Sequence, residues 1–258
     1  MRATLTSTLR AVSALPASAR LSWWGTAWLR GRVGPDDLLD ALLGDDVAHV
    51  VTGTTEPAPL LLELAAARND GATGIAAVFP APGDPAGLRG PRELNHAAIE
   101  AGEVALLLGA GTGLVPRQVG RAVEWTLLPA ERRPPPDLGE ADRALRAALL
   151  AAANRLAELE VAHWRPEVAD ELHDLRAGVP LTAPPGTPAR CIDLAGRALH
   201  LEHVAALALE DDGGAVSASE AAARRDALEP LERAARHALS AACAPDGWPP
   251  ADDEHRQR

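Results

Sequence analysis

The sequence predicts a mixed α/β or α+β fold, in which a small, mostly parallel N-terminal sheet with helices packs on a C-terminal α-helical bundle. Three observations lead to this fold class. Short apolar runs alternate with helical segments as far as Pro129, a pattern typical of parallel strands that are covered on both faces. Three prolines at 134–136 then interrupt helix and strand alike. Beyond them, apolar residues recur at helical spacing over most of the chain.

Composition excludes several classes of chemistry. The 258-residue chain is 47% hydrophobic, and its formal net charge is -11. All 25 basic residues are Arg, a bias typical of high-GC bacterial genomes. Because there is no Lys, the chain offers neither a Schiff-base nucleophile nor the phosphate-binding Lys of a P-loop. A chain this acidic is not expected to bind nucleic acid.

Cysteine content and hydropathy indicate a cytoplasmic protein that does not associate with a membrane. Two cysteines, Cys191 and Cys243, are too few for a disulfide framework and suggest a reducing compartment. No apolar run reaches the roughly 20 residues that are needed to span a bilayer. The apolar N-terminal segment is interrupted by Ser13, Pro16 and Arg20, so it lacks the continuous core of an export signal.

The first 33 residues predict a helix followed by a Trp-rich segment at 21–28. Three of the six Trp residues of the chain, Trp23, Trp24 and Trp28, lie in this segment. We expect such large apolar side chains to hold the segment on the core and to join the two parts of the fold; a partner surface is the alternative. Pro35 at a first helical position and Gly44 after the last predict a short helix between them.

An alternation of strands and helices follows this short helix. Short β-branched and Leu-rich runs predict the strands, whereas longer runs with apolar residues on one side predict the helices. A parallel or a returning antiparallel direction stays open for the last strand. The predicted strands are 47–51, 74–79, 104–108 and 122–128, and the predicted helices are 57–68 and 91–101.

The segment 131–137 predicts a boundary between an α/β part at 1–133 and a helical part at 134–258. Apolar residues at helical spacing and the prolines between them define the helices of the second part. We expect a kink or a restart at Pro230. The predicted helices are 138–164, 167–177, 192–209 and 217–243.

Three loops form the first candidate site, at 52–56, 80–90 and 109–113. If the sheet is parallel, all three emerge at the edge where open α/β sheets bind ligands, and two of them lead into helix N-termini that favour anions. Three ordinary turns are the alternative, since the glycine spacing at 109–113 departs from the dinucleotide pattern. The candidate ligand-binding residues are Thr54, Thr55, Asp84, His96, Gly111 and Thr112.

The second candidate site is a metal site in the helical part. Glu160 and His163 have the Glu-x-x-His spacing, which places both side chains on one helical face, and His203 on a later helix could add a ligand. A carboxylate di-metal bundle needs two such motifs, whereas this chain has one. The alternative is a His that hydrogen-bonds to Glu or to a backbone carbonyl.

No motif identifies a reaction or a cofactor, so three function hypotheses remain. The first is a non-catalytic interaction or regulatory protein whose acidic helices bind another protein or a second copy. The second is a small-molecule- or anion-binding protein, with or without catalysis, that uses the three loops. The third is a metal-binding helical bundle. The pair Arg132-Arg133 could in addition meet a phosphate, although a charged linker is the ordinary explanation.

Overall fold

The computed structural model describes residues 15–44, 46–53, 56–158, 181–210 and 218–248, and this part of the chain is α+β. Its N-terminal helical segment contains a π-helical turn (Leu21–Gly25) that holds two of the Trp residues. The described helices are α1 (Ala17–Arg20), α2 (Thr26–Leu29), α3 (Pro35–Leu43), α4 (Leu60–Asn69), α5 (Arg92–Ala101), α6 (Leu138–Glu158), α7 (Ala189–Glu210) and α8 (Ala218–Ala242). The predicted helix at 167–177 lies outside the described residues.

The sheet is mixed, so the predicted mostly parallel arrangement is wrong. Its strands are β1 (Ala48–Thr52), β2 (Ala58–Pro59), β3 (Gly74–Val78), β4 (Val104–Leu108), β5 (Thr112–Val119) and β6 (Ala122–Pro129), in the order β2-β1-β6-β5-β4-β3. Among the strands of the described residues, only β1 and β6 are parallel neighbours. Because β3 and β4 are antiparallel neighbours, the chain leaves β3 and enters β4 at the same end of the strands. The long stretch before α5 allows the chain to return to that end.

Strand β5 is the longer of two described strands that the sequence did not predict; the other, β2, lies within the helix predicted at 57–68. The first residues of β5 overlap the loop predicted at 109–113, and Pro116 within β5 argues against an internal strand. In the structure β5 pairs with β4 only through Thr112, Gly113 and Leu114. Pro116 therefore lies beyond the residues that pair with β4. On that side of β5, its lack of an N–H costs no hydrogen bond.

Helices cover both faces of the sheet. Alternate residues of β4 point to opposite sides: Val104 and Leu106 pack with α5, whereas Ala105 and Leu107 pack with α3, α4 and the N-terminal helical segment. All five residues of β3 are buried. Two-sided burial explains why β3 and β4 read as continuous apolar runs.

Edge strand β3 is protected by the N-terminal helical segment and by α8. The Ile75 N–H donates to Thr26 Oγ1 (2.9 Å), the Ala77 N–H to the Cys243 carbonyl (2.9 Å) and the Phe79 N–H to Ser240 Oγ (3.1 Å). The outward donors of alternate residues, which an edge strand would leave free, are thus all satisfied.

The Trp-rich segment joins the two parts of the fold, as predicted. Trp23 is fully buried, and its Nε1 donates to the Ala242 carbonyl (3.2 Å) at the end of α8. The Ser22 hydroxyl donates to the carbonyl of Cys243 (2.8 Å). Trp23 belongs to one core with α6, α7 and α8, so the sheet and the bundle share a hydrophobic interior.

Helices α6 and α7 both flank α8. Gly247, just after α8, lies against Pro135 and Pro136 before α6, and Cys191 near the start of α7 shares the core with Cys243 after α8. Both helices therefore begin where α8 ends. They run in the same direction as each other and opposite to α8.

Candidate functional site

The three candidate loops do not converge. Because β3 runs opposite to β1 and β4, the loop 80–90 lies at one end of the strands, whereas the loops 52–56 and 109–113 lie at the opposite end. The loop 109–113 joins β4 to β5, which lie three and two strands from β1, so at the usual strand spacing it is about 10–14 Å from the end of β1. The expectation of one ligand site from all three loops is therefore wrong, since it depended on parallel strands.

The individual ligand candidates occupy different environments. Thr54 and Thr55 lie outside the described residues. Gly111 lies in the turn between β4 and β5 and accepts the Ala130 N–H (2.8 Å), and Thr112 begins β5. The side chain of His96 is 85% exposed on α5, and its Nδ1 lies 3.9 Å from Glu100.

The metal prediction falls mainly on residues outside the described part, which include Glu160 and His163. His203 lies half-buried on α7, one turn from the buried His200. Burial, followed by the charge of His203, lowers the pKa of His200. Within the described ranges no three His, Cys, Asp or Glu side chains come together in a metal-binding group.

Asp84 is the candidate residue that the structure brings to other charged groups. It closes a tight turn in which Ala81 and Asp84 exchange backbone hydrogen bonds of 2.8 and 2.9 Å. Its carboxylate lies 2.9 and 3.0 Å from His237 Nε2 and accepts a 3.3 Å hydrogen bond from Arg236 Nη2. Arg233, one turn earlier on α8, lies 4.0 Å away.

These contacts keep Asp84 ionised. Burial alone would raise the pKa of Asp84, but the hydrogen bond and charge of His237, the Ala86 N–H and Arg236 together hold that pKa below its ordinary value. Glu202 on α7 also lies in the field of Arg236, and burial raises the pKa of Glu202. Arg236 thus interacts with two carboxylates, those of Asp84 and Glu202.

An ionised Asp84 fixes the orientation of the His237 ring. Nε2 is the ring nitrogen that faces the carboxylate, and when it donates there, Nδ1 is the acceptor in the neutral form of the imidazole. The side chain of His237 is 46% exposed. A carboxylate-oriented imidazole with an open nitrogen can accept a proton or a hydrogen bond from a ligand. No local motif marks His237, because Asp84 is 153 residues away in sequence.

A cleft of about 510 Å³ lies elsewhere, beside α3. Its lining includes Asp37 and Asp40 together with Leu15, Trp24 and Leu181. Arg20 also lines the cleft, and its guanidinium donates to the Leu42 carbonyl (3.0 Å) and lies 3.5 Å from Asp46. The cleft therefore combines acidic and apolar side chains.

The outer side of the helical bundle carries exposed leucines. Leu149 and Leu150 on α6 are 41% and 64% exposed, and Leu207 on α7 is 38% exposed. No helix in the described part of the chain is long and apolar enough to cross a membrane.

Comparisons with known proteins connect the chain to one family. The N-terminal domain of the Rv1486c-like protein family matches residues 18–142, and its C-terminal domain matches residues 139–240. The chain is 30% identical to "Uncharacterized protein Rv1486c" and to "Uncharacterized protein MT1533" of two Mycobacterium tuberculosis strains, in each case over 90% of this chain and 98% of the relative. It is 27% identical to "Uncharacterized protein ML1804" of Mycobacterium leprae over the same shares.

No solved structure matches the chain. The two family matches meet at the start of α6, just after the proline-rich connection, and together they extend over most of the described residues. The chain therefore belongs to the Rv1486c-like protein family.

Proposed function

We propose that this protein is a non-catalytic interaction protein, and that the outer face of α6 binds a second copy of the chain. The proposal depends on an uncharged stretch of α6, Ala147–Ala153. A helix that is apolar on every side over two turns is normally buried on every side. Here Ala152 is buried against α7 and α8, whereas Leu150 is 64% exposed.

Helix α7 carries a further exposed leucine near the same end of the bundle. Asp142 on α6 and Arg197 on α7 form a 2.8 Å ion pair that fixes how these two parallel helices are aligned. Leu149 lies two turns beyond Asp142, about 10 Å along α6, and Leu207 lies roughly 15 Å beyond Arg197. The exposed leucines of both helices thus lie toward the same end of the bundle.

The sequence of the stretch favours a second copy over an unrelated partner. From Ala147 to Ala152 it reads Ala-Ala-Leu-Leu-Ala-Ala, which is the same in both directions. If two α6 helices pack antiparallel about a twofold axis through the centre of this stretch, Leu149 and Leu150 of one copy lie beside those of the other, with alanines at both ends of the contact. Arg146 and Arg155 flank the stretch and would remain at the polar rim.

Replacing Leu150 by Asp tests this proposal. We expect the wild-type protein to dimerise with increasing concentration in sedimentation velocity, and L150D to dimerise at least about tenfold more weakly, because a carboxylate would be buried in an apolar contact. Leu62→Asp on α4 is the matched control, since Leu62 is 63% exposed on another surface. A monomeric wild-type protein, or equal behaviour of the two variants, would contradict the proposal.

As a second candidate function, we propose that the Asp84–His237 pair binds a small molecule that donates a hydrogen bond. The supporting observation is that Asp84 holds Nε2 of His237 while the ring stays half-exposed. We expect native mass spectrometry of freshly purified protein to show extra mass that disappears on denaturation and in His237→Ala. His96→Ala, which changes an exposed His, should keep it; a bare wild-type mass would exclude this candidate.

A further inference from the structure

We propose that Arg133 binds a small oxyanion, a carboxylate or a phosphate group, in the connection between β6 and α6. Arg133 is only 5% exposed. Its Nε and Nη2 atoms are buried and donate no hydrogen bond. Among the described residues it is the one whose guanidinium has two such nitrogens, and a buried charged donor without an acceptor points to a bound group.

The two unpartnered nitrogens define the chemistry of the missing acceptor. Nε–H and Nη2–H lie on the same edge of the planar guanidinium and point in nearly the same direction. Two oxygens of one carboxylate or phosphate can accept both donors at once, which is the favoured bidentate geometry for Arg. A single water could accept hydrogen bonds there, but it would leave the buried positive charge unbalanced.

The surrounding charges do not supply that balance. Asp246 is the acid whose charge acts on Arg133, yet no ion pair within 4.0 Å joins the two described side chains. Asp246 also acts on Arg30, whose guanidinium lies 5.9 Å from the ring centroid of Trp248 and donates to the Pro245 carbonyl (3.4 Å). One carboxylate is thus shared by two guanidinium groups, and positive charge is left over.

This site is separate from the α6 face and from the Asp84–His237 pair. Arg133 directly precedes the proline-rich connection, and it could become exposed only if this connection moved. A ligand bound to Arg133 would therefore also stabilise the contact between the two parts of the fold. A ligand that binds only the folded state raises the unfolding temperature in a saturable way. Inorganic phosphate is the first probe, because it offers several oxygens to one guanidinium edge.

The test is thermal unfolding in increasing phosphate, with chloride at equal ionic strength as the reference. We expect the midpoint of the wild-type protein to rise and to saturate, and the apparent phosphate affinity to fall at least tenfold in Arg133→Gln. Arg132→Gln is the matched control, since Arg132 is the exposed neighbour in sequence. R132Q should respond to phosphate as the wild type does.

Three outcomes would overturn the proposal: no saturable rise in the wild-type protein, an unchanged response in R133Q, or equal loss in R132Q. If R133Q does not fold, Arg133→Met provides a second variant that keeps an unbranched apolar side chain of similar length. Folding of R133M with loss of the phosphate response supports the site, and folding with a wild-type response excludes it.

Discussion

Asp84 connects the loop between β3 and α5 to α8 through hydrogen bonds of its buried carboxylate. The loop returns the chain to the same end of the strands, and its tight turn at 81–84 presents Asp84 to His237 and Arg236. A charged hydrogen bond of this kind is stronger than a neutral one. The residue could be selected from sequence as the carboxylate of the loop, but its partners could not, because only the antiparallel path of β3 brings them close.

Removal of this carboxylate should destabilise the fold. For Asp84→Ala we expect the free energy of unfolding near pH 7 to fall by about 1–3 kcal/mol, since His237 and Arg236 lose their acceptor. Urea unfolding measures the difference, and Asp70→Ala, at an exposed Asp after α4, is the control. An unfolding free energy that is unchanged in D84A would show that the contact contributes nothing.

The same carboxylate gives a pH dependence of defined sign. The pKa of Asp84 is lower in the folded protein than the ordinary 3.8, so the folded state binds this proton more weakly than the unfolded state. Its contribution is complete above the ordinary pKa and is lost as the pH falls through the lower folded value. We expect urea curves of the wild type and D84A to differ at pH 7 and 5, and the difference to shrink as the pH falls below 3.8; a difference that stays constant in acid would contradict this assignment.

At the scale of the elements, local pattern predicted four of the six described strands but not how they pair. Val104–Leu108 and Gly74–Val78 are apolar throughout because both of their faces are covered, and this pattern is the same in parallel and antiparallel sheets. The direction in which neighbouring strands pair depends on the turns between them, and glycine is required at one of these turns. A Cβ on Gly109 would lie 2.4 Å from the Gly71 carbonyl oxygen, and its φ is +102°, so this turn between β4 and β5 requires glycine. The hairpin that reverses the chain here was predicted to be a ligand loop.

The interaction between elements also explains the Trp-rich segment. Trp23, Ser22 and Thr26 all bind backbone groups of β3 or the end of α8. The concentration of three Trp residues in this one segment of an aromatic-poor chain was sufficient to predict that the segment lies on the core. The π-helical turn that aims these side chains could not be foreseen, since it has no distinctive residue pattern.

At the scale of the whole molecule, the proline-rich connection separates two segments that share one core. The two family matches also divide at this region. The core nevertheless combines Trp23, Ala77 and Phe79 with leucines and alanines of α6, α7 and α8. The boundary at 131–137 is therefore a change of secondary structure across which one hydrophobic cluster continues.

This shared core predicts that neither part folds independently with the stability of the whole. We expect the full chain to unfold in one transition, with equal calorimetric and van't Hoff enthalpies. A fragment that ends at Asp137 would expose Trp23 and Phe79 and would leave Ala77 and Phe79 of edge strand β3 without their hydrogen-bond acceptors in α8. Its unfolding midpoint should fall by many degrees, or the cooperative transition should disappear. Two separate transitions in the full chain, or an unchanged midpoint for the fragment, would show instead that the contacts of α8 with β3 contribute little to folding.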